Sequence, residues 1–220
     1  MIACQINKEV TEMSPLIEIR RDAKSISLLA IFCSMIVSLE AFPIIGITDI
    51  KVPGLNFTLD WTGIPIVIVF IAFGFAYSLI AIAIMWTSIA FRNFPGAAFK
   101  GLAETFRILG FAVGWVLLRN RDVSYGKKLG IYAVISSIFC ATGMYVANAL
   151  LLPLFYGIPY EIAVTTSALY VPWNVIQALV NVIGGGILYQ LIPEDLRIAA
   201  GFKEYDNLHS PEMDSSTAVS

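Results

Sequence analysis

The sequence predicts an all-α, polytopic membrane protein with six transmembrane helices and both termini on the cytoplasmic side. Three observations carry that prediction. Hydrophobic residues make up 58% of the 220 residues and charged ones 14%, against roughly 45–50% and 25% in soluble domains. The apolar residues gather into long runs at about 25–47, 64–91, 98–118, 129–152 and 168–192, each long enough for the roughly 20 residues of a crossing. Lys and Arg cluster between the runs, where cytoplasmic loops carry them.

Residues 1–24 are mixed polar and charged and close on EIRRDAK. A signal peptide passes quickly from a basic start to an apolar stretch. Here the first long apolar run begins near Ile26, so it is expected to be an uncleaved first span. The second run carries no charge over about 28 residues, or about 42 Å as one helix, against a hydrocarbon core of about 30 Å. Charge placement divides it. Arg20, Arg21 and Lys24 precede span one, and Arg119, Arg121, Lys127 and Lys128 fill a later loop. Both groups belong inside, which requires an even number of spans between them. The run is therefore expected to be two helices with a turn near residues 73–78, although no proline marks it. Six spans in residues 25–192 also place Arg197 and Lys203, in the cytoplasmic tail 193–220, inside. The end of that tail is polar and expected to be disordered.

Three connections fall outside: GITDIKVPGLNFTLDWTGIP, NFPG and PLFYGIPYEIAVTTS. The first is too long for a bare tether. With Phe57, Leu59 and Trp61 in it, a lid over the outer face is expected.

The polar residues inside the apolar runs are the candidate functional groups. Asn174, Gln177 and Asn181 fall on one arc of span six, beside Trp173. Amides in hydrocarbon must find partners. They either bond between helices or line a ligand wall, and three on one stripe favour the wall. Trp173 equally suits an interfacial belt. Asn148, near the outer end of span five, is expected at a depth similar to Asn174. Lys100, Glu104 and Arg107 form a stripe on span four. Ionisable groups in a span point to function, unless they compensate one another and snorkel outward. Glu40, near the outer end of span one, is a candidate partner. Ala30, Ser34 and Ser38 make a small-residue stripe on span one that allows another helix to approach.

Several classes drop out. A net charge of -2 argues against nucleic acid, and the one histidine, His209, lies in the tail. Cys4, Cys33 and Cys140 lack metal-site spacing, and the last two read as small buried hydrophobes. Gly184–Gly186 lacks the lysine and strand of a phosphate loop and reads as a tight helix contact. The NFT triplet at 56–58 matches a glycosylation acceptor, a pattern common by chance.

The order of these features resembles the substrate-binding S-components of energy-coupling factor (ECF) vitamin transporters, the riboflavin type above all. NALLLPLFYGIP is similar to that group's Asn, apolar run and PLYG-like turn. VPWNVIQALVN is similar to a PFNLIKG-like start of span six. LDWTGIP matches an acidic residue and an IP entering span two, and GLAETF loosely matches GELANF. The likeness is spread over most of 25–192 and is strongest over 148–191. It implies that Asn148 and Asn174 bond the vitamin, with Gln177 where the group often has Lys. It places Asp60, Thr58 and Trp61 in the capping loop, with Trp173, Trp61 and Phe57 enclosing the ring. The stripe of Ala30, Ser34 and Ser38 would dock on a transmembrane coupling subunit, itself joined to two ATP-binding subunits. The chain carries no Walker motif, so the resemblance implies a multi-pass cell-membrane transport subunit rather than an enzyme. Riboflavin is expected as bound substrate, with no cofactor. The Lys100–Glu104–Arg107 stripe leaves open another vitamin or micronutrient with an anionic group. A scaffold whose amides only join helices, or a membrane enzyme using Glu104 or Asp60, are the remaining readings.

Overall fold

The computed structural model describes residues 23–42, 44, 46–118, 121, 123–200 and 202. Expectations placed on residues 1–22, on Arg119 and on 203–220, including Cys4 and His209, lie outside the described residues. In chain order the elements are α1 (Ala23–Ala41), β1 (Asp49–Lys51), β2 (Thr58–Asp60), α2 (Gly63–Phe73), α3 (Phe75–Ala90), α4 (Phe94–Leu118), α5 (Tyr125–Tyr156), α6 (Tyr160–Leu191) and α7 (Glu194–Ala199). By length and composition, α1, α4, α5 and α6 are able to cross a membrane.

The second apolar run is broken in two by Gly74. Its φ of +99° is a backbone conformation that a side chain disfavours. Thr62, just before α2, donates its hydroxyl to Glu40 (2.7 Å), and Arg92, just after α3, donates to the Glu40 carbonyl (2.8 Å). At the other end Phe73 meets Phe202 edge-on at 5.3 Å. The chain thus descends along α2, reverses at Gly74 and returns along α3. Both limbs are shorter than the roughly 20 residues of an ordinary crossing: at 11 and 16 residues they span about 16 and 24 Å. The shorter, α2, is the innermost helix, with Ile66, Val67, Val69 and Ala72 fully buried. It meets protein rather than lipid, which removes the cost of its short length.

The expected 15-residue connection before span six is absent as such. α5 continues to Tyr156 and α6 begins at Tyr160, leaving Gly157–Pro159 between them. Gly157 caps α5 at φ +64°, a C-terminal role that suits glycine. The polar letters that read as loop are helical because their hydroxyls bond back to their own helix. Thr165 donates to the Glu161 carbonyl (3.0 Å) and Ser167 to that of Ala163 (2.6 Å), a local bond that masks polarity.

Close packing holds the bundle. A Cβ on Gly110 would lie 2.7 Å from Ser136 Cα, so α4 and α5 touch backbone to backbone. A Cβ on Gly185 would lie 2.7 Å from Val67 Cβ and 3.0 Å from the Ile64 carbonyl. The glycine triplet is therefore a close contact of α6, with α2 through Gly184 and Gly185 and with Leu129 of α5 through Gly186. Cys33 and Cys140 are buried and unpaired. The start of α1 and helix α7 line one groove, with Lys24, Ser27, Leu28 and Leu196 in its wall. The two ends of the described chain thus lie at the same end of the bundle.

Candidate functional site: a buried polar cluster beneath the first loop

The loop after α1 is folded. β1 and β2 pair antiparallel, Asp49 opposite Asp60 and Lys51 opposite Thr58. The indole N–H of Trp61 donates to the Ile47 carbonyl, so Trp61 ties the loop to itself. Phe57 packs on Tyr170 of α6, ring centroids 5.7 Å apart. The expectation of a lid packed on the helices agrees with this arrangement.

Gln177 holds the ribbon down. Its Oε1 accepts from the Asp60 backbone N–H (3.1 Å), and its Nε2 donates to the Asp60 carbonyl (2.6 Å). Asn181, one turn deeper, is satisfied in the amide orientation that donates to the Asp60 carbonyl (3.2 Å). Its oxygen then accepts from Arg107 (2.8 Å) and Gln177 (3.0 Å). These two amides do for non-helical backbone what a helix does for its own. The strand Thr58–Asp60 and the turn after it take the place of the turns that α2 lacks.

The charged residues close the cluster from the other side. Lys100 of α4 bridges Glu40 of α1 and Asp60 (3.1 Å) and donates to the Thr62 hydroxyl (3.1 Å). The Thr62 N–H donates to the Asp60 carboxylate at 2.9 Å. Deeper in α4, Arg107 donates to both oxygens of Glu104, at 2.5 and 2.6 Å, and both side chains are about 1–2% exposed. Gly63 makes room for this pair: a Cβ there would lie 2.1 Å from the Arg107 guanidinium and 2.3 Å from the Asn181 amide. Burial pushes the Asp60 carboxyl up, but Lys100 and the Thr62 hydrogen bonds outweigh it and hold it below the usual carboxylate range. Burial, and then the nearby Asp60, raise Asp49 at the rim.

The structure therefore separates the amides that the sequence grouped. Gln177 and Asn181 are committed to the ribbon. Asn174 donates to its own helix at the Tyr170 carbonyl (3.1 Å), and its oxygen has no partner among the described residues. Asn148 is 4% exposed and makes no side-chain hydrogen bond among the described residues. The two are not level. Asn148 lies about two turns from the end of α5, and Asn174 about four turns into α6. They differ by about 10 Å in depth, because α6 begins earlier than the apolar run suggests. Beside them lies a small apolar cluster of Cys140, Met144, Ala147 and Ala178, backed by Phe99 and Phe106.

Thr58 and Trp173 are half-buried, whereas Ala30, Ser34 and Ser38 are exposed along α1. Ser34 donates to the Ala30 carbonyl at 2.8 Å. Lys100 does pair with Glu40, as the stripe suggested. Thr62 and Gly63 carry no such signal: their roles depend on a contact with α4 that the sequence does not display.

No family model and no curated protein matches the sequence. A solved structure does match by fold: the S-component for biotin from an ECF-type ABC transporter, determined at 2.1 Å. The TM-score is 0.52 at 14% identity, over 82% of this chain and 99% of that one.

Proposed function

We propose that this chain is the membrane-embedded substrate-capture subunit of an ECF-type vitamin importer, with six crossings and both ends inside. The observation that supports it best is a fold shared with an S-component over nearly that protein's whole length, joined to a roofed, partly polar interior. On this reading α2 and α3 are the second and third crossings. The ribbon is the lid, and the vitamin lies below it between α4, α5 and α6. Asn148 and the Asn174 oxygen face it, because they are the buried amide groups not spent on the protein itself. Phe57 and Tyr170 close the top, with Trp173 and Trp61 nearby. Gln177, Asn181, Asp60 and Thr58 act through the lid rather than by touching the ligand. Riboflavin is the first substrate to test, since neutral amides suit an uncharged heterocycle. The exposed stripe of Ala30, Ser34 and Ser38 docks on a transmembrane coupling subunit, and two ATP-binding subunits supply the hydrolysis. The chain itself performs no chemistry.

The test is the purified protein in mild detergent. Its visible spectrum is recorded and any bound molecule is identified by mass spectrometry. A yellow protein with flavin near one per chain establishes capture and substrate together. A different vitamin keeps the subunit class and replaces riboflavin. An empty protein that shows no thermal shift with a vitamin panel points to a scaffold instead.

A further inference from the structure

We propose that this site rejects anionic ligands and takes an uncharged or cationic ring, and that Glu104 sets this preference; the inference rests on the capture reading above. The buried cluster holds three carboxylates, Glu40, Asp60 and Glu104, against two cations, Lys100 and Arg107. Both cations are already engaged. Lys100 lies between Glu40 and Asp60, and Arg107 turns one terminal nitrogen to both oxygens of Glu104 and to Asn181. Lys51, Asp49 and Arg92 lie at the water-facing rim, where solvent screens them.

A ligand carboxylate would enter a region with a formal charge of minus one. It would gain a cation only by stripping that cation from a buried carboxylate, which then stands unpaired at high cost. What the interior leaves open is neutral amide, and a donor on an arginine whose charge Glu104 already balances. Among the described residues the Asn148 amide and the Asn174 oxygen are uncommitted, and the buried Arg107 Nε–H has no partner. One donor suits a ring nitrogen or carbonyl. Glu104 decides the balance, because it is the carboxylate whose charge pairs with Arg107.

The test uses the full chain in detergent and reads dissociation constants by equilibrium dialysis. The probes are riboflavin (uncharged), thiamine (cationic), biotin (a carboxylate) and biotin amide (the same size, uncharged). The expected result is binding of at least one uncharged or cationic probe, with biotin at least tenfold weaker than its amide. In Glu104→Gln, which frees Arg107, the ratio of biotin to biotin-amide affinity should rise at least tenfold. Biotin binding as tightly as its amide in the unaltered protein overturns the charge inference and leaves the capture reading standing. That comparison does not depend on the variant folding. A folded Glu104→Gln protein with an unchanged ratio overturns the role of Glu104. No binding by any of the four probes overturns this inference, whereas the capture reading falls only if the wider vitamin panel also gives no thermal shift.

Discussion

Replacing Gln177 by Ala should open the ribbon without unfolding the bundle. The side chain makes two bonds to one residue, accepting from the Asp60 N–H at 3.1 Å and donating to its carbonyl at 2.6 Å. Alanine leaves that N–H buried and unpaired, a cost of about 1–3 kcal/mol. The carbonyl keeps Asn181, so only one ordinary bond is lost there, about 1 kcal/mol. The docked ribbon should therefore weaken by about 2–4 kcal/mol, which raises its open population about 30- to 1,000-fold. Amide hydrogen exchange measured by mass spectrometry reads this directly: peptides covering residues 55–62 should exchange faster by that factor. Peptides from α5 should not change. Unaltered exchange at 55–62 in a folded variant would refute the claim that Gln177 holds the lid.

Further expectations follow from the same geometry. Asn148→Ala and Asn174→Ala should weaken vitamin binding by about 1–3 kcal/mol, measured by titration, while the Asn148 variant melts within a few degrees of the parent because that amide bonds nothing among the described residues. Gly63→Ala should cost more than about 3 kcal/mol of stability, since its Cβ would fall 2.1 Å from Arg107 and disturb a buried ion pair; a thermal melt equal to the parent's would contradict the placement. Asp60 is held below the usual carboxylate range when folded, so its contribution is present above about pH 4 and is lost as the pH falls through its folded value. Ribbon exchange should accelerate on acidification there, and Asp60→Asn should remove that dependence. Ala30→Trp or Ser34→Leu, on the exposed face of α1, should spare vitamin binding and abolish uptake in cells; normal uptake would exclude that face as the docking surface.

The sequence made the bundle readable because hydrocarbon imposes a simple demand on composition. The apolar runs mark the helices, and a reversal near residues 73–78 falls at Gly74 even though no proline signals it. The Lys100–Glu40 pair was legible too, because charges in a span must be neutralised. Helix α6 was misjudged at its start because Thr165 and Ser167 look polar as letters yet satisfy themselves on their own helix. The amide stripe was legible as a stripe, but its division of labour was not. Gln177 reaches a backbone 117 residues away, and no local spacing encodes which of three amides meets a strand and which is left for a ligand.

The innermost helix also says something about how the protein is made. Eleven residues, Gly63–Phe73, are too few to be taken into a bilayer as a crossing of their own. Their seat is built partly by α6, and Gly185, Gln177 and Asn181 are all synthesised long after α2. Until the last long helix arrives, the ribbon lacks the two amides that hold Asp60, and the short helix lacks one wall of its seat. Biogenesis therefore ends on a late, long-range closure, the kind of step that is slow. A nascent chain halted before Tyr160 would leave the Asp60 backbone without Gln177 and Asn181, and the short helix without Gly185 to pack on.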